Sequence, residues 1–337
     1  MNSYQRVMAV FNGEKPDRPP VISPVSAATV ESMEITGAFF PDVHGDAVKM
    51  AALAAAGHEV LGFDNVMPYF SITQEAEALG TVINKGSADT MPAALKRPFT
   101  EPDEFKMPDD FLSRGPVRTV IDAVRILKNK FGGEVAVCGK VIGPWTLSYN
   151  LYGTEDFLMD LIAEPGRARG FLRAFKIISI MFALAQIEAG ADLLTWADHA
   201  TGDMVSADIY AEFLLPVHRE CMKELREKSP RRVPVILHTC GKSLDRMPYI
   251  AEAGFDCFHF DSKNEPSEAL RAVNGKTLLA GCVNNNEVLL NGSPEDVKRQ
   301  TREIMEARIP FIAPECAVPL RVKNENLRAI TEAAKEI

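Results

Sequence analysis

Residues 250–261 read Ile-Ala-Glu-Ala-Gly-Phe-Asp-Cys-Phe-His-Phe-Asp, and this stretch carries the unit from which the fold is built. An alanine-containing helix end meets a glycine, and a short apolar run then closes on an acid. The glycine falls where a helix C-terminus takes a left-handed residue, and the run after it is too short and too aromatic for a second helix. The same step recurs where Gln186–Gly190 leads into Ala191–Asp198 and where Ala51–Gly62 leads into Phe63–Tyr69. It is a repeated βα unit.

Working outward from these units, the short apolar runs give eight candidate strands: Pro20–Pro24, Phe63–Tyr69, Val135–Ile142, Leu193–Asp198, Val233–His238, Asp256–Asp261, Thr277–Val283 and Pro310–Pro314. Helices are expected between them at Asp156–Gly190, with breaks at Pro165 and Gly166, at Ala207–Lys228 and Pro294–Ala307, and finally at Asn324–Ile337. Alternating buried strands and amphipathic helices make a parallel sheet, and eight strands close a barrel. The expected fold is a single (β/α)8 TIM barrel over residues 1–337, a length that suits about 250 residues of barrel plus insertions. Segment 71–134 is too long for one βα connection and is polar from Ala88 to Gly115, so it reads as an insertion after the second strand, over the barrel mouth. A doubly wound open sheet is the structural alternative. No glycine-rich phosphate turn follows an early strand to support it.

Composition narrows the function. The chain is 46% hydrophobic and 25% charged, the profile of a globular protein, and its net charge of −9 comes with no Lys/Arg-rich segment of the kind that nucleic acid requires. No apolar run is expected to reach the roughly 18 to 20 residues needed to cross a bilayer, and Met1–Phe11 lacks the apolar stretch of a signal peptide, so the expected compartment is the cytoplasm, with no membrane partner. Six cysteines in a reducing compartment are not a disulfide framework. Cys138, Cys221 and Cys257 read as packing residues, and Cys282 is open between packing and site lining.

Reactive side chains gather at the C-terminal ends of the candidate strands. Asp198 closes one, His238 and Cys240 another, Asp261 a third, Cys282 to Asn286 a fourth, and Glu315 with Cys316 the last. In a (β/α)8 barrel these ends converge on the face where active sites form. His238 and Cys240 are two residues apart, so their side chains leave the same face about 6 to 7 Å apart. Barrel closure can return Cys316 to them. Two thiolates and one imidazole are ligands that zinc prefers, and three protein ligands leave a position open for a substrate. Asp198 and Glu315 are rival candidates for the fourth, exchangeable position, and both are catalytic candidates on that account.

The motifs His-Thr-Cys-Gly at 238–241, Ala-Pro-Glu-Cys-Ala-Val-Pro at 313–319, Trp-Ala-Asp at 196–198 leading into 205–213, and Gly-Cys-Val-Asn at 281–284 resemble the uroporphyrinogen decarboxylase superfamily. Within it the chain looks like the zinc-dependent methylcobamide:coenzyme M methyltransferases, over almost its whole length. That resemblance implies Zn2+ on His238, Cys240 and Cys316, a methyl-corrinoid (cobalamin) protein as donor and partner, and a small thiol such as coenzyme M as acceptor. Decarboxylases of the family carry an arginine motif after the first strand, where this chain has Pro-Val-Ser-Ala-Ala at 24–28. Tetrahydrofolate as acceptor, demethylation onto a corrinoid, and a decarboxylase-like activity remain alternatives. For an anionic acceptor tail the sequence offers Lys242, Arg321 or a helix N-terminus without choosing among them.

Overall fold

In the computed structural model, which describes residues 1–336, seven of the eight expected strands form one parallel sheet. The strands in chain order are β1 (Asn65–Val66), β2 (Val82–Asn84), β3 (Ala93–Lys96), β4 (Ala136–Ile142), β5 (Leu193–Ala197), β6 (Val235–His238), β7 (Cys257–His259), β8 (Leu278–Val283) and β9 (Phe311–Pro314). The parallel sheet runs β1-β4-β5-β6-β7-β8-β9, and β2 pairs with β3 in a separate antiparallel hairpin. Helices such as Gly115–Phe131, Pro165–Glu188, Leu215–Lys228 and Pro294–Glu306 connect the parallel strands, and Ala47–Glu59 leads into the first of them. The sequence unit is seen directly, since Gly190 (φ +111°) and Gly254 (φ +97°) take the left-handed conformation immediately before β5 and β7.

The first expected strand, Pro20–Pro24, is not a strand. Prolines at 19, 20 and 24 remove the amides a ladder needs, and only an isolated parallel bridge from Val21 to Ile312 remains. Around it, Ile22 N donates to Ile312 O (2.8 Å), Ile312 N to Pro20 O (3.0 Å) and Asp64 N to Val21 O (2.7 Å). The Asn65 side chain adds a pair of bonds to the Ser23 backbone, at 2.7 and 2.9 Å. Segment 20–23 thereby touches both edges of a curled seven-stranded sheet.

Sheet register fixes which side chains share a face. Lys140, Thr195, Ile236 and Cys257 stand in one row, and Ile142, Ala197, His238 and His259 in the next row toward the C-terminal ends. Successive rows on one face are two residues apart. The core between sheet and helices encloses Trp145, Trp196, Phe171, Phe175 and Phe182, each contributing about 1.5 to 3 kcal/mol by leaving water.

Helix 156–190 breaks at Pro165 as expected, giving Thr154–Ala163 and Pro165–Glu188, and Gly166 lies within the second helix without a further break. Two expectations need correction. Helix Pro165–Glu188 is long and apolar enough to cross a membrane, against the sequence expectation. Its apolar face is taken up by the fold, and Ser179 Oγ donates to Ile142 O (2.6 Å) while Gln186 bonds both backbone groups of Lys140 (2.9 and 2.8 Å). Helix 207–228 is interrupted by a π turn at Tyr210–Leu214.

Segment 71–134 contains a short helix (Gln74–Ala78), the β2–β3 hairpin and helix Gly115–Phe131. It lies against the helix Pro144–Leu151 that follows β4, through Thr81 Oγ1 to Asn150 O (3.0 Å) and Arg97 Nε to Tyr149 O (2.9 Å). The hairpin loop is tied by Asp89 to Arg321.

Candidate metal centre

His238 is the last residue of β6 and Cys240 lies just beyond it, while Cys316 follows β9. His238 Nε2 stands 3.1 Å from Cys240 Sγ and 3.6 Å from Cys316 Sγ. Ligands around one tetrahedral zinc, with bonds of about 2.0 to 2.3 Å, stand about 3.3 to 3.8 Å apart, so this spacing suits a shared ion. The structure therefore brings together the three residues that the sequence singled out. It also adds His199, one of whose ring nitrogens lies within 4.8 Å of the His238 and Cys240 donor atoms.

The backbone holds this arrangement by a turn that only glycine permits. A Cβ at Gly241 would lie 2.4 Å from Asp203 Oδ2 and 2.5 Å from Thr201 Oγ1. The Gly241 amide donates to Asp261 Oδ2 (2.8 Å), and Thr239 Oγ1 donates to Asp198 O (2.8 Å). Cys240 is fixed between these anchors.

Electrostatics favour neutral nitrogen donors. Burial, then His259, His199 and Lys140, push the His238 imidazole well below its ordinary range, and burial lowers His199 as well, against the pull of Asp198. A neutral imidazole keeps the lone pair a metal needs. Hydrogen bonding to the Cys316 thiol, then burial, hold the Cys240 thiol well above its usual value in the absence of a cation. A bound divalent ion would reverse that preference. His238 Nδ1 is buried without a partner, a departure from the outer hydrogen bond that metal-bound imidazoles usually make.

Asp198 and Glu315 are engaged elsewhere. Asp198 is fully buried, its Oδ1 accepts from Thr146 N (2.7 Å), and its Oδ2 accepts from Trp145 N (3.4 Å) and faces His218 Nε2 (3.1 Å). It caps the helix after β4, where a carboxylate meets the positive end of the dipole, and His218 is in turn held by Tyr210 Oη (3.1 Å). Glu315 accepts from Ser262 N (3.1 Å) and Asn285 N (2.8 Å), which bind the loops after β7 and β8 to that after β9. Each oxygen of both carboxylates already accepts from a backbone amide. Cys138, Cys221, Cys257 and Cys282 are buried, and burial raises the thiol of each, that of Cys138 to about 12.

Sequence reasoning missed His199 and Lys140. His199 directly follows the strand-end Asp198, so the signal was one residue away. Lys140 is a lysine inside the apolar run Ala-Val-Cys-Gly-Lys-Val-Ile, where a buried strand has no ordinary use for a charge. It is 2% exposed, its Nζ donates to Ser71 O (2.8 Å), and the ammonium lies 4.5 Å from the centre of the Tyr69 ring.

Comparison with known proteins bears on this arrangement. The family described as uroporphyrinogen decarboxylase (URO-D) matches residues 2–337. A methylated-thiol–coenzyme M methyltransferase of Methanosarcina mazei is 32% identical, with 100% of this chain and 90% of that protein covered. The methylcobamide:CoM methyltransferase MtbA of the same organism is 29% identical, covering 98% of this chain and 97% of that one. A solved methyltransferase from Methanosarcina mazei superposes with a TM-score of 0.95 at 28% identity, over 100% of this chain and 99% of that one.

Proposed function

The chain belongs to the uroporphyrinogen decarboxylase family, and from that premise we propose that it is a zinc-dependent methyltransferase moving a methyl group from a methyl-corrinoid protein to a small thiol. The observation that carries the reading is the trio His238, Cys240 and Cys316, with sulfur-to-nitrogen separations of 3.1 and 3.6 Å. The full-length likeness to methyltransferases whose names specify coenzyme M supports it. Coenzyme M is the acceptor we favour; the methylated thiol in one relative's name marks thioethers as an alternative methyl source. Decarboxylation is disfavoured because segment 24–28 supplies no cation to grip a carboxylated substrate.

A free thiol has a pKa near 8.5, and a zinc ion on these residues supplies its deprotonation at neutral pH. In this reading the chain does the rest. His238, kept neutral by burial, and the two cysteines hold the ion and leave one side open. Asp198 orients the helix after β4, and Glu315 locks three strand-end loops so that Cys316 keeps its place. Segment 71–134, tied to that helix and to Arg321, screens the mouth from water.

The test is methylcobalamin demethylation by zinc-loaded protein, followed by the absorbance change of the corrinoid, with and without 2-mercaptoethanesulfonate. Thiol-dependent turnover that disappears in Cys316→Ala is the expected result. Demethylation that ignores the thiol, or none at full zinc occupancy, would reject the reading.

A further inference from the structure

His199 stands beside the candidate metal centre, and the reading above gives its side chain no task. Its backbone is held from both sides, the amide donating to Thr146 Oγ1 (2.8 Å) and the carbonyl accepting from Tyr149 Oη (3.4 Å). The ring is half-buried, and neither of its nitrogens has a hydrogen-bond partner among the described residues. A fixed backbone thus presents an uncommitted imidazole.

Strand register explains why the ring lies there. Ala197 of β5 pairs with His238 of β6, and the pairing continues past both strand ends, through Asp198 N to His238 O (3.0 Å) and Thr239 Oγ1 to Asp198 O (2.8 Å). One step further on, His199 and Cys240 are level with each other and on the face that carries His238. Asp198 secures this strand end from the opposite face, since its carboxylate accepts from Trp145 N and Thr146 N and lies so close to Gly143 that a Cβ there would overlap it. One His199 ring nitrogen is within 4.8 Å of the donor atoms of both His238 and Cys240, and the ring stands at 84° to that of His238. Donors around one zinc are about 3.3 to 3.8 Å apart, so a side-chain movement of about 1 to 1.5 Å at most takes His199 onto the ion, and the same movement takes it off. The rivals are committed. His259, whose ring centre is 4.6 Å from that of His238, uses Nε2 on Pro314 O (2.7 Å), and the carboxylates of Asp198 and Glu315 are taken by backbone amides.

We propose that His199 is the fourth protein ligand of the resting centre, beside His238, Cys240 and Cys316, and that the acceptor thiol takes its place. The inference rests on the zinc reading above. In the exchange a metal–nitrogen bond breaks and a metal–sulfur bond forms, the thiol proton leaves to solvent, and no electrons change hands. Two thiolates and two imidazoles close the tetrahedron that zinc prefers, so the resting ion is shielded from water and stray anions. With His199 in place, only a donor that outcompetes an imidazole enters, which a thiolate does and an oxygen ligand does not. His199 thereby selects sulfur acceptors. After methyl transfer the product is a neutral thioether, a weak donor, and the returning imidazole expels it.

The experiment compares wild-type and His199→Ala proteins by X-ray absorption, in which the outer scattering of a bound ring counts imidazole ligands, together with zinc affinity by chelator competition and thiol binding by calorimetry at zinc saturation. Wild type should show two imidazoles at rest and one after addition of 2-mercaptoethanesulfonate. His199→Ala should show one throughout, with a second restored by added imidazole. Its zinc affinity should fall at least about tenfold, since loss of a residue behind a ligand already costs that much. Its thiol affinity should move the other way and rise by about threefold or more, because no protein ligand competes for the open position. One imidazole in resting wild type overturns the proposal, as do two that the thiol leaves in place, an unaltered zinc affinity in the variant, or a weakened thiol affinity at full zinc occupancy. If the Ala variant does not fold, His199→Gln is read by the same criteria, and the wild-type ring count stands without either. A wild-type chain that takes up no zinc defeats the metal reading itself, an outcome distinct from zinc uptake with a single imidazole.

Discussion

The two ends of the parallel sheet treat buried charge in opposite ways. At the N-terminal end Asp64, wholly buried, accepts from Arg6 Nη1 (2.8 Å), Arg18 Nη1 and Nη2 (2.9 and 3.0 Å), Ser3 Oγ (2.9 Å) and Val21 N (2.8 Å). Every oxygen there is matched. At the C-terminal end His238 keeps an unpartnered ring nitrogen and two thiols share one imidazole. Satisfied charge fastens the segment that touches both sheet edges, and unsatisfied groups mark where a ligand completes the structure. Substitutions at the two ends should therefore separate stability from chemistry.

The largest effect belongs to the upper end. Cys240→Ala and Cys316→Ala should each lose most of the zinc and lower thiol-dependent methyl transfer more than about a hundredfold, since residues merely behind a metal ligand already cost 10- to 100-fold. Zinc content and turnover read this together, and the fold should survive by circular dichroism. Full zinc occupancy in both variants would erase the contrast between the ends.

Next comes the lower end. Asp64→Ala leaves the part-buried Arg18 without its acid and Arg6 with Asp17 alone, strips five hydrogen bonds from a wholly buried position, and should cost about 3 to 5 kcal/mol in denaturant unfolding. Thiol affinity of the folded fraction should not move. A variant of normal stability would show that this cluster does not hold the sheet together.

Asp198→Asn should have an intermediate effect, because it removes a charge at a helix N-terminus and weakens the bond to His218. About 1 to 2 kcal/mol of stability and a modest rise in KM are expected, with zinc content unchanged. A changed set of metal ligands in this variant would restore Asp198 to the fourth position.

The smallest effect is a pH dependence. Hydrogen bonding to the Arg6 guanidinium holds the Asp17 carboxyl well below its ordinary range. A depressed folded value contributes stability above the unfolded value of about 3.9, and that stability is lost as pH falls below it. Asp17→Asn should flatten this acid limb by less than about 1 kcal/mol, because the side chain is 43% exposed and screened by solvent. An unaltered acid limb would remove Asp17 from the account of the lower end.

The same contrast explains what the sequence could disclose. Strands β4 to β9 were legible within a residue or two at most ends, apart from the hairpin, because short apolar runs after Gly190 and Gly254 have one reading. His238 and Cys240 were legible because a spacing of two on a strand fixes one face. Cys316 needed the further idea of converging strand ends, and its approach to His238 depends on the curl of the sheet rather than on local pattern. Pro20–Pro24 was misjudged because apolar character was weighed above its missing amides. Asp198 and Glu315 were set at the right strand ends, but the sequence does not say that backbone amides of Thr146, Ser262 and Asn285 converge on them. Lys140 was passed over because attention went to strand ends, while it is buried mid-strand, on Ser71 O and over the Tyr69 ring.

The central claim is tested most directly by X-ray absorption at the zinc edge, on the loaded protein before and after addition of 2-mercaptoethanesulfonate. The account predicts two sulfur ligands at about 2.3 Å with nitrogen completing the protein's share at rest, and a third sulfur once the thiol is present. A shell of nitrogen and oxygen alone, or a sulfur count that the thiol leaves unchanged, would contradict it.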